Sequence, residues 1–189
     1  MSRIPVHSLE PAPSGSKVLL ESMVQMSPTD RLSNMQGQMA DAPAVLAEYI
    51  FFRRVWEEHG TLDARTRSAV MAVAAATLDV EYVVTLTSML ALRDGWTPEE
   101  VDKLCRGLGS DDPKLDSLLD VVTDAVGNAG RVNQVTWESA IRDGWTTEQL
   151  TESFAYFAIA LHFAYFCNFA ETEVDVPSTS VSPAQRRSI

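Results

Sequence analysis

Few side chains in this sequence combine catalytic chemistry with a setting that would use it. His162 stands out, because it lies midway along an uncharged run from Phe154 to Ala170. An imidazole titrates near neutrality, which makes it the usual general acid or base. A lone histidine on an apolar helix is more often a satisfied core residue, so both readings stay open. On a helix Tyr165 shares the His162 face and Asn168 follows along the same side, giving two polar contacts for a bound molecule. Glu81 opens a different helix, where the helix dipole favours a carboxylate. It reads either as a solvated first-turn residue or, if a pocket desolvates it, as a general base. The Tyr82 phenol beside it would donate to a developing oxyanion, or simply pack with its hydroxyl at an edge.

Other chemistries are disfavoured by spacing. His7, His59 and His162 are too scattered, without Cys or Asp at ligand spacing, to suggest a metal. No Gly-rich phosphate loop and no nucleophile elbow is present, so no nucleotide or other cofactor is expected. The two cysteines, Cys105 and Cys167, match no metal motif and no disulfide framework, and both read as reduced core residues.

Composition sets the scale. The 189 residues are 46% hydrophobic and 22% charged, a globular profile long enough to bury a core in one domain or two tightly joined halves. A formal charge of −11 argues against nucleic acid and against anionic membrane surfaces, since both need clustered cations. The first residues hold no apolar stretch suited to a signal peptide, so a cytoplasmic location is expected.

Nearly every segment between the ends has helical period, so the expected fold is all-α. Residues 1–15 read as an extended N-terminal arm, 16–176 as a helical domain, and 177–189 as a flexible tail. Helices are expected at Lys17–Met26, Pro43–Glu58, Asp63–Leu78, Glu81–Arg93, Pro98–Arg106, Pro113–Val126 and Gln134–Arg142. The uncharged run Phe154–Ala170 falls short of the roughly 20 residues a bilayer span needs, and reads as a core or interface helix.

The strongest internal signal is a repeat. Ala91-Leu-Arg-Asp-Gly-Trp-Thr-Pro-Glu-Glu-Val101 returns 49 residues later as Ala140-Ile-Arg-Asp-Gly-Trp-Thr-Thr-Glu-Gln-Leu150. Each copy reads as a helix stopped by a glycine, a tryptophan folding back over the junction, and a capping box opening the next helix. A duplicated helical hairpin explains this better than a binding site does.

Gly60-Thr-Leu-Asp-Ala-Arg-Thr-Arg67, the Ala-rich helix after it, and Leu78-Asp-Val-Glu-Tyr-Val-Val-Thr-Leu-Thr-Ser-Met-Leu90 resemble the AhpD-like and carboxymuconolactone decarboxylase superfamily. The likeness covers roughly residues 40–175 and implies an all-helical bundle with an internal repeat, assembled as a trimer or hexamer. The functional residues do not carry over. The peroxidase branch's two cysteines fall at Val80 and Val83, its histidine at Thr87 and its glutamate at Ser68. Peroxide reduction needs an attacking thiolate, a resolving thiol and a base, and valine supplies none of them. The decarboxylase branch's Tyr survives as Tyr82, but Val83, Val84, Leu86 and Thr87 stand where its Glu, Trp and two His would be.

If the family pocket persists, Ser68, Val83 and Thr87 would line it and suit an uncharged or weakly polar molecule. The leading expectation is therefore a cofactor-independent enzyme acting on a small, mostly apolar molecule, a lyase or isomerase using His162 or Glu81 as acid or base. Proton transfer, decarboxylation, isomerisation and cyclisation all fit. A catalytically silent oligomeric binding or scaffold protein is the first alternative. Thiol chemistry through Cys105 or Cys167 is the second.

Overall fold

The computed structural model describes residues 2–26 and 31–176. The expected C-terminal tail, 177–189, lies outside them. Every regular element among the described residues is an α-helix, so the all-α expectation holds. The chain groups into two compact units, one of residues 1–60 with 166–176 and one built on 61–165.

The first unit contains α1 (Lys17–Met26), α2 (Asn34–Met39) and α3 (Pro43–His59). Leu20, Met23, Met35, Met39, Leu46, Tyr49 and Ile50 form its buried core. Helix α2 went unpredicted, because six residues with a central glycine give no readable period. A capping box sustains it: Ser33 Oγ accepts from the Gln36 amide at 3.3 Å, and Gln36 Oε1 accepts from the Ser33 amide at 2.9 Å. The Gln36 side chain then donates to the Tyr49 hydroxyl at 3.1 Å, tying α2 to α3.

The second unit is the duplication, and it is larger than the sequence motif. Helices α4 (Ala64–Leu78), α5 (Glu81–Arg93) and α6 (Pro98–Cys105) are followed by α7 (Pro113–Gly127), α8 (Gln134–Arg142) and α9 (Thr147–Ala170). Asp63 caps α4 and Asp112 caps α7. The indole N–H of Trp96 donates to the Arg65 carbonyl at 3.0 Å, and that of Trp145 to the Lys114 carbonyl at 2.7 Å. The cations at those positions lie over the rings, Arg65 at 3.9 Å and Lys114 at 4.9 Å from the centroids. Gly95 and Gly144 end their helices at φ of +95° and +96°, a conformation costly for any residue with a Cβ. Capping boxes follow at Thr97–Glu100 and Thr146–Gln149.

Helix α4 is central to this unit and packs on α5, α6 and α7. Ala69, Ala72, Ala74 and Ala75 are fully buried, which lets three neighbours approach closely. Helix α9 alone among the described helices is long and apolar enough to cross a membrane, and half of its apolar window is buried inside the fold. That burial fits a core helix.

Candidate functional site

The site begins at the first turn of α5. Val80 is the N-cap residue of that helix, and positions 80, 83 and 87 fall on one side of it at the 3.6-residue period. That side faces inward: Val80 is buried, and Val83 and Thr87 have no exposed surface. The Thr87 hydroxyl donates to the Val83 carbonyl at 2.8 Å, within its own helix. Ser68, buried on the neighbouring α4, likewise donates to its own helix, to the Ala64 and Arg65 carbonyls at 3.0 and 3.1 Å. Both hydroxyl protons are thus engaged locally, and what each oxygen offers a ligand is a lone pair.

The other expected residues spread out. Tyr82 is buried beside Val83, at 2% exposure. Glu81 is exposed on the first turn of α5, outside the desolvated surroundings that a role as base would need. His162 is half-buried on α9 with its ring 6.0 Å from that of Phe163 in an edge-on arrangement. Tyr165, one turn on, is 70% exposed. Asn168 is exposed in the stretch of α9 that belongs to the first unit. Packing of α4 on α5 brings together the helices carrying Ser68, Val83 and Thr87.

Neither cysteine is in a disulfide, and both are buried. Cys105 Sγ lies 3.6 Å from Ser88 Oγ. Burial pushes the Cys167 thiol up to about 12, so it holds its proton at neutral pH. Among the described residues no group of three His, Cys, Asp or Glu side chains is placed to hold a metal.

A polar cluster that the sequence reading passed over sits at the start of α4. The Glu152 carboxylate accepts from the Thr61 and Leu62 amides at 2.7 and 3.0 Å, from the Thr61 hydroxyl, and from Tyr156 OH at 2.7 Å. Burial alone would push its carboxyl up, but these hydrogen bonds outweigh burial and hold it below the usual carboxylate range. Burial, then the Glu152 carboxylate, pushes Tyr156 up to about 12, with Arg67 opposing. The i, i+4 spacing of Glu152 and Tyr156 was the available signal. The partners at 61 and 62 are distant in sequence and were not.

This geometry matches known proteins. Residues 40–123 match the carboxymuconolactone decarboxylase family. The AhpD core of an uncharacterized peroxidase-related protein from Ralstonia eutropha JMP134 superposes with a TM-score of 0.79 at 18% identity, covering 92% of both chains. The chain has the AhpD-like all-helical fold. Two structures of the debrominase Bmp8 share the fold. A cysteine-to-alanine variant in complex with 2,3,4-tribromopyrrole gives a TM-score of 0.71 at 12% identity, covering 92% of this chain and 89% of that one. The apo form gives 0.69 at 14%, covering 94% and 89%. No curated protein matches this AhpD-like chain by sequence.

Proposed function

We propose that this AhpD-like chain acts on a small, weakly polar organic molecule without thiol chemistry, using His162 as the proton carrier. The α5 face carries the reading: Val80, Val83 and Thr87 present methyl groups and one internally bonded hydroxyl where a thiol mechanism needs two sulfurs and an imidazole. Such a face, once the side chains packed on it part, attracts an apolar ring by dispersion and desolvation. His162 is the one histidine of the second unit, half-buried as a residue and with its Nε2 buried, in surroundings that desolvate an imidazole. Tyr82 and Tyr165 supply hydroxyls, and Ser68 and Thr87 supply lone pairs. The chemistry that fits is proton transfer, decarboxylation or isomerisation, with no cofactor. A cytoplasmic homo-oligomer belongs to the same reading, and the charge of −11 supports the exclusion of nucleic-acid partners.

A second reading, a catalytically silent binding or scaffold protein, draws on a specific observation. Val83 and Thr87 have no accessible surface, so no void able to hold even one water lies against them. A ligand contacting them must first part the packed side chains.

Calorimetric titration with 2,3,4-tribromopyrrole, the small ring bound by the related debrominase, tests the proposal, together with a turnover screen of small lactones, phenols and halogenated rings. Saturable binding is expected, unchanged in the Cys105→Ser/Cys167→Ser double variant. Turnover of a screened compound should fall at least tenfold in His162→Ala with helicity unchanged. Binding with no turnover of any compound selects the silent reading, and turnover abolished in the double cysteine variant overturns both.

A further inference from the structure

Within the first unit, the N-terminal segment lies in a notch that only one residue type permits. The His7 amide donates to the Gly37 carbonyl at 3.1 Å, and the Arg3 amide donates to the Ala170 carbonyl at 2.9 Å. The Gln38 side chain is 1% exposed; its Nε2 donates to the Ile4 carbonyl at 3.2 Å and to the Ala170 carbonyl at 3.4 Å, and its Oε1 accepts from the Thr172 hydroxyl. Arg3 adds a 2.7 Å ion pair to Glu171, and His7 Nε2 lies 2.9 Å from Asp41 Oδ1. A Cβ built on Gly37 would stand 2.7 Å from the His7 carbonyl oxygen and 2.7 Å from Val6 Cγ1.

These contacts have a common character. They are mostly to the segment's main chain, so they recognise extended conformation more than side-chain identity. They also satisfy Ala170, one of the last carbonyls of α9, which has no partner within the helix. Gly37 sits inside α2, where alanine would ordinarily strengthen the helix.

We propose that the notch formed by Gly37, Gln38 and the Ala170 carbonyl is a binding site for an extended peptide, and that residues 3–7 are its detachable resident. The preferred occupant is this chain's own arm, with a guanidinium near its N-terminal end to meet Glu171 and close backbone approach at Gly37. Its release strips Gln38 of the Ile4 carbonyl and the end of α9 of the Arg3 amide. The arm therefore acts as a strap on the last turn of α9.

The test uses the full-length chain with residues 3–7 replaced by a Gly/Ser stretch of equal length, and a synthetic peptide of residues 2–8 carrying a fluorophore. Fluorescence anisotropy should show the peptide binding the replaced-arm protein at least ten times tighter than the native protein, whose notch is filled. Gly37→Ala should lower Tm in the native-arm chain and raise it in the replaced-arm chain, because the clash exists only when the arm is docked. Equal peptide binding to both proteins, or a Gly37→Ala shift of the same sign and size in both, overturns the proposal. If the replaced-arm chain loses its helicity, restoration by the added peptide supports the strap, and failure to restore it overturns the strap.

Discussion

At the residue scale, the Glu152–Tyr156 pair shows how a half-buried carboxylate is held by its partners. Glu152 gathers four hydrogen bonds, and Tyr156, 1% exposed, has its hydroxyl on that carboxylate. Removing the hydroxyl with Tyr156→Phe should cost about 1–3 kcal/mol in urea denaturation, as expected for a hydrogen bond to a charged group. The pH dependence has a definite sign. Glu152 is depressed in the folded protein, so its contribution is full above the unfolded carboxylate range and fades as pH falls through the folded value. Tyr156 is raised to about 12, so its contribution is full below the unfolded phenol value near 10 and is lost as pH climbs from there towards 12. Stability curves of the wild type should drop in that alkaline window, and those of Tyr156→Phe should drop less. A Tyr156→Phe curve superimposable on the wild type across that window would contradict the pairing.

At the scale of elements, the duplication makes paired variants informative. Trp96 and Trp145 make the same bond to a carbonyl at the start of the equivalent helix, each under a cation from that same residue. Trp96→Phe and Trp145→Phe should each destabilise by roughly 1–3 kcal/mol, since each removes the indole hydrogen bond and sheds indole packing. A large penalty at one site and none at the other, read from chemical denaturation, would contradict their equivalence. Much of this architecture was readable in advance. The helical periods, the glycine stops and the Thr–Glu and Thr–Gln boxes are local signals, and they placed eight of the described helices. The wider duplication was hidden because Arg65 and Lys114 differ in type and accept the indole bonds through their carbonyls, which carry no sequence signature. Helix α2 was hidden because its support comes from Ser33, Tyr49 and the arm. At the candidate site, the sequence located Ser68, Val83 and Thr87 on packed helices but gave no sign that Val83 and Thr87 would be sealed or Glu81 left in solvent.

At the scale of the whole molecule, the question is which chemistry an AhpD-like fold carries when valines stand at 80 and 83, where the resemblance puts the thiols. The residual sulfurs do not replace them. Cys167 stays protonated at neutral pH, and Cys105 is buried beside a serine hydroxyl, which is no base. The proposed function draws on an apolar α5 face and an imidazole on α9, groups suited to moving protons and unsuited to reducing peroxides. Thiol reactivity in the native protein measures this most directly. Intact-mass spectrometry after exposure to iodoacetamide, and separately to hydrogen peroxide, at neutral pH should find both cysteines unmodified and no peroxide consumed, with labelling of both only after denaturation. Rapid alkylation or oxidation of Cys105 or Cys167 in the folded chain, accompanied by peroxide turnover, would contradict the thiol-free account.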